Sequence, residues 1–94
     1  MRVKLFANLA ETAGDREVEV DLPANATVRD ALDALFAAHP DLEPAVMDED
    51  GRPADHINLL RNGGAIPSGA EGLEEPLAPS DELAIFPPVT GGDR

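Results

Sequence analysis

The chain contains no cysteine. That excludes disulfides, thiolate metal sites and cysteine nucleophiles, and it leaves stability to packing alone. Lysine is nearly missing too: Lys4 is the only one, and seven basic residues face nineteen acidic ones for a formal net charge of −12. Phosphate binding needs lysine or arginine, so this balance excludes nucleic acid and anionic membranes as partners. No apolar run approaches the ~18 residues of a membrane span, and Met1-Arg2-Val3-Lys4-Leu5 has no signal-peptide core. The expected location is therefore the cytoplasm. Self-repulsion of so many acids weakens as salt shortens the Debye length to ~3 Å at 1 M, which points to a high-salt cytosol. Lys4 and the α-amine are the only primary amines. The chain is thus a poor acceptor of amine-directed modification, and Lys4 is its one acceptor lysine.

What is present fits one domain of 94 residues, 43% hydrophobic, with enough apolar material for a small core. Residues 2–7 alternate as a strand, with Val3 and Leu5 on one face and Lys4 and Phe6 on the other. Asn8 to Gly14 reads as a short helical turn closed by glycine. Glu17 to Leu22 alternates acid with aliphatic, a strand with one wet and one buried face. Thr27 to His39 is the best helix. Thr27 is placed to cap it, Asp30 stands three residues on, and Val28, Leu32, Leu35, Phe36 and His39 form one stripe. Pro40 ends it. A second short helix is expected over Leu42 to Val46. Ile57 to Arg61 is a third strand, and Asn62-Gly63-Gly64 is a hairpin turn toward a brief Ala65-Ile66 strand. Residues 67–80 read as a surface loop with room for a helical turn, and Glu82 to Phe86 is the last strand.

That strand runs directly into Pro87-Pro88-Val89-Thr90-Gly91-Gly92, with Asp93 and Arg94 after it. Proline favours an extended backbone, so the segment leaves the domain as a stiff arm. Glycine lacks a Cβ, so Gly91-Gly92 can thread a slot too narrow for side chains. The division expected is a folded domain over 1–88 and a flexible tail over 89–94.

No catalytic set accompanies this tail. His39 and His56 have no clustered partners, so no metal site is expected. Asp48-Glu49-Asp50-Gly51 lacks the twelve-residue calcium-loop pattern and reads as a solvated turn. Ser68 and Ser80 have no His-Asp arrangement nearby, and no glycine-rich phosphate loop follows a strand. The chain is read as a non-enzyme that binds no cofactor.

Several segments occur together in one order: Leu5-Phe6-Ala7, Asn8-Leu9-Ala10-Glu11, Ala26-Thr27-Val28, Ile57-Asn58-Leu59-Leu60-Arg61-Asn62-Gly63, and Asp81-Glu82-Leu83-Ala84-Ile85-Phe86-Pro87-Pro88-Val89-Thr90-Gly91-Gly92. In this the chain resembles the MoaD/ThiS sulfur-carrier family, and within it the small archaeal ubiquitin-like modifier proteins. The resemblance implies an α+β, β-grasp (ubiquitin-like) fold, a mixed sheet of four to five strands with one main helix packed on one face. It also implies a carrier mechanism. An E1-like adenylating enzyme uses ATP to activate the carboxylate of Gly92, with Gly91 beside it in the slot. The product either becomes a thiocarboxylate that donates sulfur, to molybdopterin through a molybdopterin-synthase large subunit or to a thiolated tRNA base, or is joined to lysines of target proteins by an isopeptide bond.

Asp93 and Arg94 depart from that pattern, because they keep the Gly92 carbonyl in a peptide bond. The expected remedy is a protease that trims after Gly92. The alternatives are a relative that does not conjugate, or two residues foreign to the natural chain. Strand parity points Phe6, Leu60 and Phe86 away from the helix. The β-grasp order that the resemblance implies makes the first and last strands neighbours, so the three are expected to form an apolar docking patch beside the tail. The competing expectation is that one of them tucks under a loop. Arg61 is the adjacent basic residue, able to meet an acidic partner or a local acid. A different class of function is a non-covalent interaction module that uses the same patch and never reacts.

Overall fold

The computed structural model describes residues 1–54, 57–67 and 70–87. Strand β1 (Arg2–Leu5) leads into helix α1 (Asn8–Ala13), and strand β2 (Glu17–Glu19) follows. Helix α2 (Val28–Ala38) is succeeded by a 3-10 turn (Pro40–Leu42) and a short helix α3 (Glu43–Val46). Strands β3 (Asn58–Arg61) and β4 (Gly64–Ala65), helix α4 (Ala70–Leu73) and strand β5 (Glu82–Phe86) complete the order.

The five strands make one sheet in the order β2-β1-β5-β3-β4. It is mixed: β1 runs parallel to β5, while β1–β2, β3–β5 and β3–β4 are antiparallel. The last strand therefore lies at the centre of the sheet, between the first and third. The sheet and the helix on its face are the β-grasp arrangement that the resemblance implies.

Period-two alternation sends Val3 and Leu5 of β1, Val18 of β2, Leu59 of β3, and Leu83 and Ile85 of β5 to one face, where all are buried. The stripe on α2 meets them with Val28, Ala31, Leu32, Leu35 and Phe36. Leu9, Leu42, Val46, Leu73 and Leu77 close the margins of the same core. The start of α2 is a complete capping box: Thr27 Oγ1 accepts from the Asp30 N–H, and Asp30 Oδ2 accepts from the Thr27 N–H at 3.0 Å. Two orphan donors of the first turn are thereby satisfied, and Asp30 places a negative charge at the positive end of the helix. His39 stands at the C-terminal boundary, half-buried, its backbone N–H donating to the Leu35 carbonyl rather than extending the buried stripe.

Element boundaries differ from expectation where the backbone needed a partner or a special dihedral. β1 stops at Leu5 rather than residue 7, because Ala7 takes φ 53° and turns the chain into α1. β2 ends at Glu19 rather than Leu22. Val20 makes one more rung, donating to the Met1 carbonyl at 2.9 Å, and is still buried. β4 pairs through Gly64–Ala65, with Ile66 turned into the core. No helix among the described residues is long and apolar enough to cross a membrane.

Candidate functional site

The face of the sheet opposite α2 carries the candidate site. Its residues are set by register. Lys4 on β1 is level with Glu17 on β2 and Ala84 on β5. Ala84 is level with Leu60 on β3, and Leu60 with Ala65 on β4. One row, Glu17-Lys4-Ala84-Leu60-Ala65, thus crosses all five strands on the outward side. Along it the surface changes from charged to apolar at β5.

Phe6 and Phe86 finish the apolar part. β1 and β5 are parallel and in register at Leu5 and Ile85, so the next residue of each strand projects to the same outer side. The rings stack, with centroids 4.2 Å apart and planes 17° from parallel. Phe6 is 37% exposed, the one large hydrophobic that is exposed among the described residues. Phe86, Leu60 and Ala84 are half-buried. The structure therefore brings Phe6, Leu60 and Phe86 onto one face, beside the point where β5 passes into Pro87. Ala84 and Ala65 complete the patch. Parity together with the strand order implied by the β-grasp resemblance identified Phe6, Leu60 and Phe86, whereas the two alanines needed the register. A depression of about 510 Å³ adjoins Phe6, lined by Lys4, Ala10, Glu11 and Arg16 among others. It arises because the turn at Ala7 carries α1 away from the end of β1.

Arg61 stands apart from this patch. It has the parity of Leu59, not of Leu60, and pairs in register with the buried Leu83. Its Nη1 donates to the Pro76 carbonyl at 2.9 Å and lies 3.7 Å from Glu75 Oε1. The segment it holds is itself bonded to the start of α2, through Val28 N–H to the Glu75 carbonyl (3.0 Å) and Leu77 N–H to the Ala26 carbonyl (2.8 Å). The local acid foreseen for Arg61 is thus Glu75.

Lys4 sits in the outward row, its Nζ 3.5 Å from Glu82 Oε2. Arg2, two residues away on the same side, lies between Glu17 and Glu19 at 3.4 and 3.8 Å. The Asp48 turn is closed on itself: Asp48 Oδ1 accepts from the backbone N–H groups of Asp50 and Arg52, which uses up an oxygen a cation would need. Gly91, Gly92, Asp93, Arg94 and His56 lie outside the described residues, as does the expected division at 88/89.

A sheet whose central last strand bears one ring of an outward aromatic stack, in a sequence that runs on into a proline-led Gly-Gly segment, defines a β-grasp protein of the ubiquitin-like modifier and sulfur-carrier class. Comparison with known proteins agrees. The model of the ThiS family matches residues 3–92, and the chain belongs to that family. It is 58% identical to small archaeal modifier protein 1 of Haloferax volcanii over 98% of this chain and all of that one. It is 31% identical to the molybdopterin synthase sulfur carrier subunit of Chlamydomonas reinhardtii, over 98% of each chain. The crystal structure of the Haloferax volcanii protein superposes with a TM-score of 0.88 over 98% of each chain. The solution structure of small archaeal modifier protein 1 from Methanosarcina acetivorans gives 0.78 at 40% identity, covering 97% of this chain and 94% of that one.

Proposed function

We propose that this chain is a cytoplasmic modifier and sulfur carrier that reacts through the carboxylate of Gly92 once Asp93 and Arg94 have been removed. An E1-like adenylating enzyme docks on the Phe6/Leu60/Phe86 face and draws the tail into its site. The Gly92 carboxylate attacks the α-phosphorus of ATP, pyrophosphate leaves, and an acyl-adenylate forms. Adenylation replaces a poor leaving group by a good one, so a sulfur nucleophile or a lysine amine can then take the acyl group as AMP departs. The catalytic groups belong to the enzyme, while this chain supplies a reachable end and a face to hold. ATP is accordingly the enzyme's substrate, and this chain binds no cofactor. The outputs are sulfur transfer, with a molybdopterin-synthase large subunit or a tRNA-thiolation system downstream, and isopeptide attachment to lysines of target proteins.

The observation that carries this reading is the position of the Phe6–Phe86 stack. It lies at the end of β5, the strand that continues into the tail, so an enzyme gripping the rings is within reach of the residues that follow.

The test compares the full chain with one ending at Gly92 in ATP–pyrophosphate exchange by the E1-like enzyme of the same cells. Exchange is expected with the shorter chain and not with the longer. Equal exchange by both, or none by either, would overturn the precursor reading. Intact mass of the protein recovered from cells reports trimming, and a gain of about 16 Da reports oxygen replaced by sulfur at the reacting carboxylate. Persistence of the cellular role after deletion of residues 91–94 would favour the non-covalent module instead.

A further inference from the structure

We infer that Lys4 is an acylation site whose occupation switches the docking face off. The inference rests on the proposed docking role of the Phe6/Leu60/Phe86 face. Lys4 carries the only ε-amine in the sequence, and the fold puts it inside that face. It is two residues from Phe6 along β1 and is level with Ala84 and Leu60 across β5 and β3. At about 4.8 Å per strand and about 3.3 Å per residue, it lies about 10 Å from Leu60 and about 7 Å from Phe6. A standard interface covers about 800 Å² on each partner, a disc of about 16 Å radius. A partner seated on the aromatic pair therefore covers Lys4 as well.

Lys4 is also reachable when the face is free. Its side chain is 37% exposed, and Glu82, its ion-pair partner among the described residues, is 38% exposed. The reaction needs an activated acyl group. The unprotonated Nζ attacks the acyl carbon and the C–N bond forms. The bond to the leaving group, AMP or a thiolate, breaks and takes the electron pair, and the surplus amine proton passes to solvent. The donor is either the activated carboxylate of a second copy of this chain or a small acyl donor. Both leave the same product, a neutral secondary amide.

Two changes then act together. The added acyl group stands up in the footprint of the partner. The charge balance also shifts: Glu17, Glu19 and Glu82 now face Arg2, Lys4 and the α-amino group of Met1, and acylation removes the Lys4 charge that pairs with Glu82. A free copy acylated on Lys4 is therefore kept from having its own tail charged while the link lasts.

The experiment uses the chain ending at Gly92 with Nε-acetyl-lysine incorporated at position 4, the unmodified chain, and Phe6→Ala, each assayed for ATP–pyrophosphate exchange with the E1-like enzyme. Acetylation is expected to lower kcat/KM at least tenfold, mainly through KM, with the thermal midpoint unchanged within a few degrees. Loss with Phe6→Ala but normal exchange after acetylation would overturn the Lys4 inference alone. Normal exchange with Phe6→Ala would remove the docking face, and this inference with it. Peptide mapping of protein from cells separates the donors: a branched peptide ending in Gly92 marks a second copy, an acetyl mass marks a small donor. Lys4 found unmodified under all growth conditions overturns the inference.

Discussion

Asn62 and Asp81 clasp each other across the gap between the β3–β4 turn and the start of β5. Asn62 Nδ2 donates to Asp81 Oδ1 at 2.9 Å, and Asn62 Oδ1 accepts from the Glu82 backbone N–H at 2.9 Å. Asp81 Oδ2 accepts from the Ala78 N–H at 2.8 Å. The turn that follows β3 is thereby fixed to the start of β5, the central strand of the sheet. The Ala78 N–H and the Asn62 amide, aided by Arg61, hold the Asp81 carboxyl below its ordinary value. A carboxylate depressed in the folded state stabilises the fold above its unfolded pKa, and this contribution is lost as pH falls through the folded value. Acid titration of the native chain and of Asp81→Asn should therefore diverge least at low pH and most near neutrality, with the difference closing below about pH 4. A constant difference down to the acid transition would deny the clasp its charge.

The same turn separates backbone from side-chain effects. Asn62 has φ 51°, a left-handed conformation that asparagine and glycine tolerate. Asn62→Gly removes the clasp and keeps the turn, while Asn62→Ala removes the clasp and strains the turn by about 1 kcal/mol more. Urea unfolding should rank native above Gly above Ala. An Ala variant as stable as the Gly variant would show that the left-handed turn is not held.

Phe6→Ala removes one ring of the outward stack. An aromatic pair contributes about 0.5–1.5 kcal/mol beyond its buried area, and Phe6 is already 37% exposed. The folding cost should be about 1 kcal/mol, against about 3–5 for truncating a buried phenylalanine such as Phe36. Affinity for the activating enzyme, by titration calorimetry, should fall at least tenfold, since central aromatic residues dominate interface energies. Large destabilisation with unchanged affinity would reassign Phe6 to the core.

Much of this was legible because alternation and helical spacing report burial directly. The inward residues of β1, β3 and β5, the α2 stripe from Val28 to Phe36 and the Thr27 cap lie where the sequence places them, while His39 falls at the helix boundary instead of on the stripe. What failed was local. Ala7 at φ 53° cannot be read from alanine, and it shortens β1. Leu22 continues the alternation of Glu17 to Leu22, yet β2 ends at Glu19 with one further bond from Val20 to Met1. α4 is one turn long, too short for periodicity to show within 67–80. The outward patch needed parity and the strand order that the resemblance implies, but its alanines and the place of Lys4 within it depend on cross-strand register, which periodicity does not fix. That β1 and β5 are neighbours follows from the β-grasp resemblance and not from any residue pattern, and their parallel direction is shown by the structure.

Gly72 lies within α4, where alanine would ordinarily raise helix stability by about 1 kcal/mol. Here a Cβ would overlap the Pro67 carbonyl oxygen and press on Ile66 Cγ2 at 3.1 Å. Gly72→Ala should therefore lower the thermal midpoint by several degrees, reversing the sign that propensity gives. A raised midpoint would show that residues 66 and 67 yield freely.

Arg61 offers the sharpest separation of folding from docking. Its bond to the Pro76 carbonyl ties β3 to the segment that pairs with residues 26–28 at the head of α2, and it lies on the helix side of the sheet rather than among Phe6, Leu60 and Phe86. Arg61→Gln keeps part of the side-chain stem and loses the charged fork. Hydrogen bonds to charged groups contribute about 1.5–3 kcal/mol, and half exposure places this one at the low end. Urea unfolding should show a loss of about 1 kcal/mol. Affinity for the activating enzyme should change less than threefold at a salt concentration where both proteins are folded. A tenfold loss of affinity without loss of stability would return Arg61 to the docking surface and extend that surface around the edge of β3.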